Sequence, residues 1–430
     1  MTVSELKNKV LSGEFDAKFA AECGIGADRA DANRARVAAA IDAFAEIYGA
    51  NRDGVELFSV GGRSEISGNH TDHNHGRVIA ASINLDIIAV AAKRDDGVIR
   101  VKSEGFPEDV VPAECAEAPD ESKFFTSASI IAGMERAFLD SGYAVGGYDA
   151  YTTSNVLKGS GLSSSAAFEV MIGNILSHMY NGGKVDNVEI AKMAQFAENK
   201  FFGKPCGLMD QTACAVGGFI TIDFEDPSSP VIEKLGFDLA KEGYALCIVN
   251  TGGNHADLNE DYASVPAEMK SVAHEFGREV LRGLTQKDII DRIPELREKV
   301  GDRAILRALH FIAENDRVGE QVEALKAGDR NVFFEGVMAS GRSSYQYLQN
   351  VYTTKNVSEQ GLSLALCVTE AFLSGTGAAW RVHGGGFAGT IQAFVPVELA
   401  AKYSEYMDGI FGAGSCYTLS VRMSGAIKIS

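Results

Sequence analysis

The stretch GYDAYTTSNVLKGSGLSSSAAFEVMIGNILSHMYN, residues 147–181, decides the fold, because it carries a strand, a glycine turn and a long apolar helix in one run. GYDAYTTSNVL (147–157) reads as extended chain, and the apolar positions after Ser165 recur at helical spacing. Between them, Gly159 and Gly161 free the backbone to turn sharply, so that Ser163, Ser164 and Ser165 present hydroxyls and amides at a helix start. Exposed amides, the positive end of the helix dipole and small side chains together suit a phosphate. The Walker pattern GxxxxGK[ST] is absent. For a lone GSG a helix cap is the favoured reading; the triple serine, the preceding strand and the long apolar helix shift it toward phosphate.

Working outward, DANRARVAAAIDAFAEIYG (31–49) places Val37, Ile41, Phe44 and Ile47 on one helical face. GRVIAASINLDIIAVAAKRDDGVIRVKSEG (76–105) reads as two β-segments, with RDDG expected as a hairpin turn. SASIIAGMERAFLDSG (127–142) is an amphipathic helix closed by Gly142, and a further helix is expected over about 187–201. Acidic, proline-containing DFEDPSSP (223–230) marks a softening, after which a strand, charged helices over about 265–350 and returning strands follow. This order is mixed α+β, without the steady alternation of a parallel doubly wound sheet. The expected organisation is a helical lead-in over 1–50, an N-terminal half over 51–228 with the serine loop, and a C-terminal half over 229–430.

At 430 residues the chain can bury a large core. Its net charge of −18 repels a phosphate backbone, so no nucleic acid is expected as a partner. Cysteines at 23, 115, 206, 214, 247, 367 and 416 form no CxxC pair, which indicates neither a zinc ribbon nor a disulfide framework. No apolar run reaches signal-peptide or membrane-span length, so the reading is a cytoplasmic protein without a membrane partner.

Other clusters carry chemistry. GRSEISGNHTDHNHG (62–76) gathers His70, Asp72, His73 and His75 in a chain with only eight histidines. Zinc would want a recurring spacing such as HExxH, and a hydrolytic triad a GxSxG elbow; neither is present. A ligand rich in hydroxyls fits Asn, His and Asp better. Arg63 is a lone cation among small and apolar residues, read as the partner of a specific anion or as an ordinary salt bridge. Asp210, in CGLMDQTACAVGG (206–218), needs a partner or a job unless it caps a helix. HGGGFAGT (383–390) holds consecutive glycines whose backbone entropy packing cannot repay; close approach and a tight β-turn both account for them.

Taken in order, these clusters resemble the sugar kinases of the GHMP superfamily, the galactokinases in particular, over roughly residues 55–395. GRSEISGNHTDHNHG is similar to the galactokinase signature G-R-x-N-x-I-G-E-H-T-D-Y-x-x-G, KGSGLSSSAAFEV (158–170) to the superfamily's phosphate loop, GKPCGLMDQ (203–211) to its catalytic-aspartate segment, and HGGGFAGT to its third motif. The resemblance implies a two-lobed α+β fold, with an N-terminal ribosomal-protein-like half and a C-terminal ferredoxin-like half. It implies ATP-dependent phosphorylation of galactose at the anomeric hydroxyl. Asp210 would be the catalytic carboxylate and Arg63 its cationic neighbour. Asn69, His70, Asp72, Gly207 and Tyr262 would bind the sugar; Gly159, Ser160, Gly161, Leu162, Ser163 and Ser164 would wrap ATP phosphates; Ser165 and Glu198 would hold Mg2+. No obligate protein partner is implied.

This chain departs from the signature where the sugar is read. Asn69 stands in place of an acid that in galactokinases binds the 6-hydroxyl, Glu65 in place of Asn, Ser67 in place of an aliphatic residue and His73 in place of Tyr. Asn69 can accept from a hydroxyl without repelling an anion, so galacturonate joins galactose as an expected candidate, with arabinose and N-acetylgalactosamine behind. A sugar and ATP sensor without turnover is the non-catalytic alternative; the intact serine loop, Asp210 and Arg63 favour an enzyme.

Overall fold

The computed structural model describes residues 1–112, 118–156, 161–204, 206–253 and 258–430. Helices α1 (Val3–Leu11), α2 (Asp16–Cys23) and α3 (Ala30–Tyr48) precede strands β1 (Glu56–Ser67), β2 (Arg77–Lys93), β3 (Val98–Ser103) and β4 (Glu108–Pro112). Then come α4 (Ser127–Asp140), β5 (Tyr148–Ser154), α5 (Ser164–Asn181), α6 (Asn187–Phe196), α7 (Met209–Val216), β6 (Phe219–Asp223) and β7 (Val231–Leu235). These strands, with β12 (Ala426–Lys428) from the chain's end, make an eight-stranded sheet ordered β12-β1-β2-β5-β3-β4, with β6 and β7 attached beside β2.

The sheet is buried on both faces, and the pleat of β2 shows why. Ile87, Ala89 and Ala91 join the core shared with α4 to α7, while Ile88, Val90 and Ala92 join a second core with Val37, Ile41 and Phe44 of α3. The first fifty residues are therefore a layer that covers a sheet face. Ile47, expected on the apolar stripe, is 43% exposed at the helix end.

The expected RDDG hairpin does not form. β5 lies between β2 and β3, antiparallel to the former and parallel to the latter. Tyr148 to Thr153 of β5 are buried, so this strand gains more by an interior position than a short turn gains by joining its flanks.

A second sheet, ordered β11-β8-β10-β9, comprises β8 (Tyr244–Asn250), β9 (Ala379–His383), β10 (Thr390–Pro396) and β11 (Cys416–Leu419). Helices α13 (Gly361–Leu373) and α14 (Val397–Phe411) supply one face through Leu362, Leu373, Tyr403 and Met407. The other face, through Leu246, Ile248 and Phe394, runs into the core of the first sheet. Helices α8 (Asn259–Glu275), α9 (Gln286–Asp291), α10 (Ile293–Lys299), α11 (Asp302–Ala327) and α12 (Arg330–Ser343) fill the space between. Sheet membership crosses the boundary expected at 228/229, since β7 and β12 both belong to the first sheet. No helix among the described residues is long and apolar enough to cross a membrane.

Candidate active site

β1 delivers Arg63, 8% exposed, to the place where the two sheets meet, with Ser64 beside it hydrogen-bonded to His383 of β9. Its guanidinium clasps Asp210, from the first turn of α7, with Nε donating to Oδ1 and Nη2 to Oδ2, each at 2.7 Å. Burial alone would raise the Asp210 carboxyl, but the Arg63 charge and hydrogen bonds outweigh it and hold it below the usual carboxylate range. The Asp210 side chain is 34% exposed, so the ionised group still reaches solvent. The alternative cap and salt-bridge readings of these two residues merge: they are each other's partner.

The serine loop joins the same centre. The N–H of Arg63 donates to the Leu162 carbonyl at 3.1 Å, and its Nη1 donates to the Gly161 carbonyl. Ser163, in the left-handed region with φ 58°, is the N-cap of α5, yet its hydroxyl caps nothing in the helix and donates to Asp210 instead. The first turn of α5 is thus left without a side-chain cap, its free amides able to meet an anion. Leu162 is fully buried, so only its backbone can face a ligand. Gly159 and Ser160 lie outside the described residues.

Beside this turn, Ser165 is exposed and Glu198 is 2% exposed, its carboxylate accepting from Lys204 Nζ at 3.0 Å and Gln211 Nε2 at 2.8 Å. Gln211 also donates to Glu169, at 3.0 Å, whose carboxyl is raised to about 8 by burial and then by the charge of Glu198. Glu169 Oε1 and Gln211 Oε1 are buried without partners. A hydroxyl and carboxylates are hard oxygen donors, and one or two of them plus substrate phosphates are what magnesium takes. The residues present fit that ion. Among the described residues no three His, Cys, Asp or Glu side chains are gathered to hold a metal.

The loop 68–76 forms the other wall. His70, with φ 57°, directs Nε2 to the Gly385 carbonyl at 2.9 Å. Asp72 accepts from the His73 N–H at 2.9 Å, and its Oδ2 lies where a Cβ on Gly207 would come within 3.2 Å. Burial, with Glu65 and Asp210 adding against His70, raises the Asp72 carboxyl. Tyr262 stands edge-on to Phe387 and donates to the Gly386 carbonyl at 2.9 Å. Burial drives His73 down to about 3, so it is a neutral ring, its Nδ1 taken by Asn74 at 2.7 Å.

Asn69 is set apart from the other residues expected to bind the sugar by its burial. Its side chain is fully buried and all four of its hydrogen-bonding positions are spent: Oδ1 accepts from Ser344 and Asn350, and Nδ2 donates to Glu65 and the Gly384 carbonyl. The HGGGFAGT segment joins β9 to β10, and its glycines serve both a turn and close approach. A Cβ on Gly385 would meet the Tyr262 ring at 2.7 Å, and one on Gly386, φ +81°, would lie 2.0 Å from the Asn350 carbonyl.

Four supporting residues have no role read from the motifs, although His383 opens HGGGFAGT. Glu314 of α11 accepts from the N–H groups of Gly68 and Asn69, at 3.1 and 3.3 Å, and from Ser340 at 2.6 Å. His310, one turn earlier, donates to the Asn69 carbonyl at 3.0 Å. Arg381, fully buried in β9, pairs with Glu65 at 2.9 Å. His383 lies between Ser64 at 3.1 Å and Thr390 at 2.8 Å, tying β1 to β10. The legible signal was a buried charge inside an apolar pattern, as in ILRALHFIAEN (305–315) and AAWRVH (378–383).

The family model described as galactokinase galactose-binding signature matches residues 42–93, and that of the GHMP kinases N terminal domain matches 128–218. The chain is 32% identical over 363 residues to the galactokinase of Streptomyces coelicolor, covering 83% of this chain and 88% of that one. It is 33% identical over 357 residues to the galactokinase of Actinobacillus pleuropneumoniae serotype 3, again covering 83% and 88%. In fold it is similar to the crystal structure of Lactococcus lactis galactokinase complexed with galactose, with a TM-score of 0.75, 24% identity, and coverage of 91% of this chain and 99% of that one. With Arg63, Asp210 and the serine-led turn of α5 at one centre, and relatives this similar over most of their length, the chain belongs to the galactokinase family of GHMP kinases.

Proposed function

We propose that this chain transfers the γ-phosphoryl group of ATP to the anomeric hydroxyl of galactose, giving galactose 1-phosphate and ADP. The observation that carries the reading is the Arg63–Asp210 fork set against the uncapped N-terminus of α5. The helix amides from Ser164 onward receive phosphate oxygens, with Gly161 and Ser163 shaping the turn. Asp210, kept ionised by Arg63, holds the anomeric O–H in line with the γ-phosphorus and takes its proton as the new P–O bond forms and the bond to ADP breaks. The depressed affinity of Asp210 for protons suits this late transfer, since a loose phosphoryl transition state asks little of a base. Arg63 also offsets negative charge spreading over the transferred group.

Ser165 and Glu198 would hold Mg2+, with Lys204 and Gln211 fixing the carboxylate. When bound, that ion neutralises phosphate charge and orients the nucleotide. The sugar lies against His70, Asp72, Gly207 and Tyr262. Carboxylates at Glu65 and Asp210, both held below the ordinary carboxylate range, disfavour the galacturonate alternative, because a uronate would meet like charge. The test is coupled ADP release with magnesium-ATP and a panel of galactose, galacturonate, arabinose, N-acetylgalactosamine and glucose, beside Asp210→Asn. Turnover of galactose by the wild type and its loss in the variant is the expected result; a different preferred sugar, or binding of ATP and galactose without turnover, would overturn it.

A further inference from the structure

Arg63 and Glu65 are two residues apart on β1 and so project from the same face of the strand. From that face Arg63 meets Asp210, and the Glu65 carboxylate lies within electrostatic reach of Arg63, His70 and Asp72. Its Oε1 is committed, accepting from Asn69 Nδ2 at 3.0 Å and from Arg381 Nη2 at 2.9 Å. Oε2 accepts no hydrogen bond from the described residues and is not sealed in the core, for the side chain keeps 10% of its exposure. A carboxylate oxygen with open lone pairs, in a wall of polar side chains, is an acceptor waiting for a donor.

Asn69 has the opposite character. Its amide is saturated by four partners, its N–H and carbonyl are held by Glu314 and His310, and its exposure is nil. It touches the site through Glu65, whose Oε1 it grips, and it braces the Gly384–Gly385 turn through the Gly384 carbonyl and Asn350.

We propose that Glu65, not Asn69, is the residue of this loop that reads the sugar: Oε2 accepts a hydrogen bond from one ring hydroxyl other than the reacting one, and Asn69 is the positioning residue that aims it. The inference rests on the galactose reading above. It makes this corner selective for a neutral hydroxyl, since a carboxylate accepts from an O–H and repels an anion.

Glu65→Gln tests it with little change of shape, because Gln can still accept from Asn69 and Arg381 through its carbonyl while an NH2 replaces the free acceptor. The measurements are KM and kcat for galactose, its monodeoxy analogues and ATP, binding titrations with galacturonate, and a melting curve. The expected KM for galactose rises about 10- to 100-fold, the worth of one hydrogen bond to a charged group, and carries more of the loss than kcat. KM for ATP holds, galacturonate binds more tightly than to the wild type, and one monodeoxygalactose, already weak on the wild type, loses nothing further on the variant. Asn69→Ala should weaken that same discrimination, whereas a merely structural role would lower kcat and the melting temperature for every sugar alike.

An unchanged galactose KM in Glu65→Gln, or equal losses across all the deoxy sugars, would overturn the inference while leaving the kinase reading intact. A wild type that releases no ADP with galactose would overturn the reading beneath it as well.

Discussion

Replacing Arg63 with Met keeps an unbranched stem in β1 and removes the partner of Asp210. The two bonds lost to Asp210 are each 2.7 Å long, and the bond to the Gly161 carbonyl goes with them. Charge-assisted bonds of this kind contribute about 1.5–3 kcal/mol each, so about 3–6 kcal/mol of stabilisation leaves the carboxylate. Expressed in the transition state at 1.36 kcal/mol per decade, this lowers kcat by about 10²- to 10⁴-fold. The bond from Ser163 survives and places the outcome toward the smaller loss.

The pH profile separates charge from packing. Burial raises the Asp210 carboxyl, and Arg63 is what reverses the sign. In the wild type the group therefore stays ionised through the assay range and imposes no acid limb above about pH 5. Without Arg63 burial wins, the carboxyl titrates above its ordinary value, and kcat/KM acquires a limb that rises with pH. Arg63→Lys, which returns the charge but not the fork, should restore the flat profile with only part of kcat. Coupled ADP release across pH 5–9, with sugar varied from below KM to saturation at saturating nucleotide, reads kcat and kcat/KM for all three proteins. An Arg63→Met enzyme within tenfold of wild type, or one whose profile stays flat, would refute the reasoning.

Glu135 of α4 has both carboxylate oxygens buried without partners, and burial raises it from 4.5 to about 8. The folded state then keeps a proton that the unfolded chain has lost, so its contribution is full below about pH 4.5 and drains, by up to about 5 kcal/mol, as pH rises through 8. Glu135→Gln should flatten the fall in melting temperature between pH 6 and 9, and identical slopes in the two proteins would count against it. Glu198→Gln should raise the magnesium concentration that half-saturates nucleotide binding by at least about tenfold while galactose affinity holds, as titration calorimetry would show. Gly386→Ala forces a Cβ to within 2.0 Å of the Asn350 carbonyl at φ +81°. Its melting temperature should drop, with galactose KM raised more than ATP KM; a variant as stable as wild type would mean the loop yields freely.

The serine loop, Arg63 and Asp210 were legible because each announces itself locally: a glycine turn before a helix, and lone charges among apolar neighbours. Asn69 was not. Its donors and acceptors come from Glu65, Ser344, Asn350 and Gly384, brought together only when the segment that follows α12 and the β9–β10 turn close over the loop. A signature position can keep its place in the sequence while its side-chain partners are set by distant segments.

Strand pairing divides along the same line. Extended chain on both sides of RDDG was readable from residue type, since side-chain shape and alternation act within a few residues. That β5 would enter between β2 and β3, and that β12 would return from the far end to β1, depended on which long-range pairing buries most apolar surface. The sequence by itself determined the elements, the motifs and the family they belong to, because those are written in local chemistry. Only the tertiary structure decided which side chains remain open at the site, because a hydrogen-bonding group is free or spent according to neighbours hundreds of residues away.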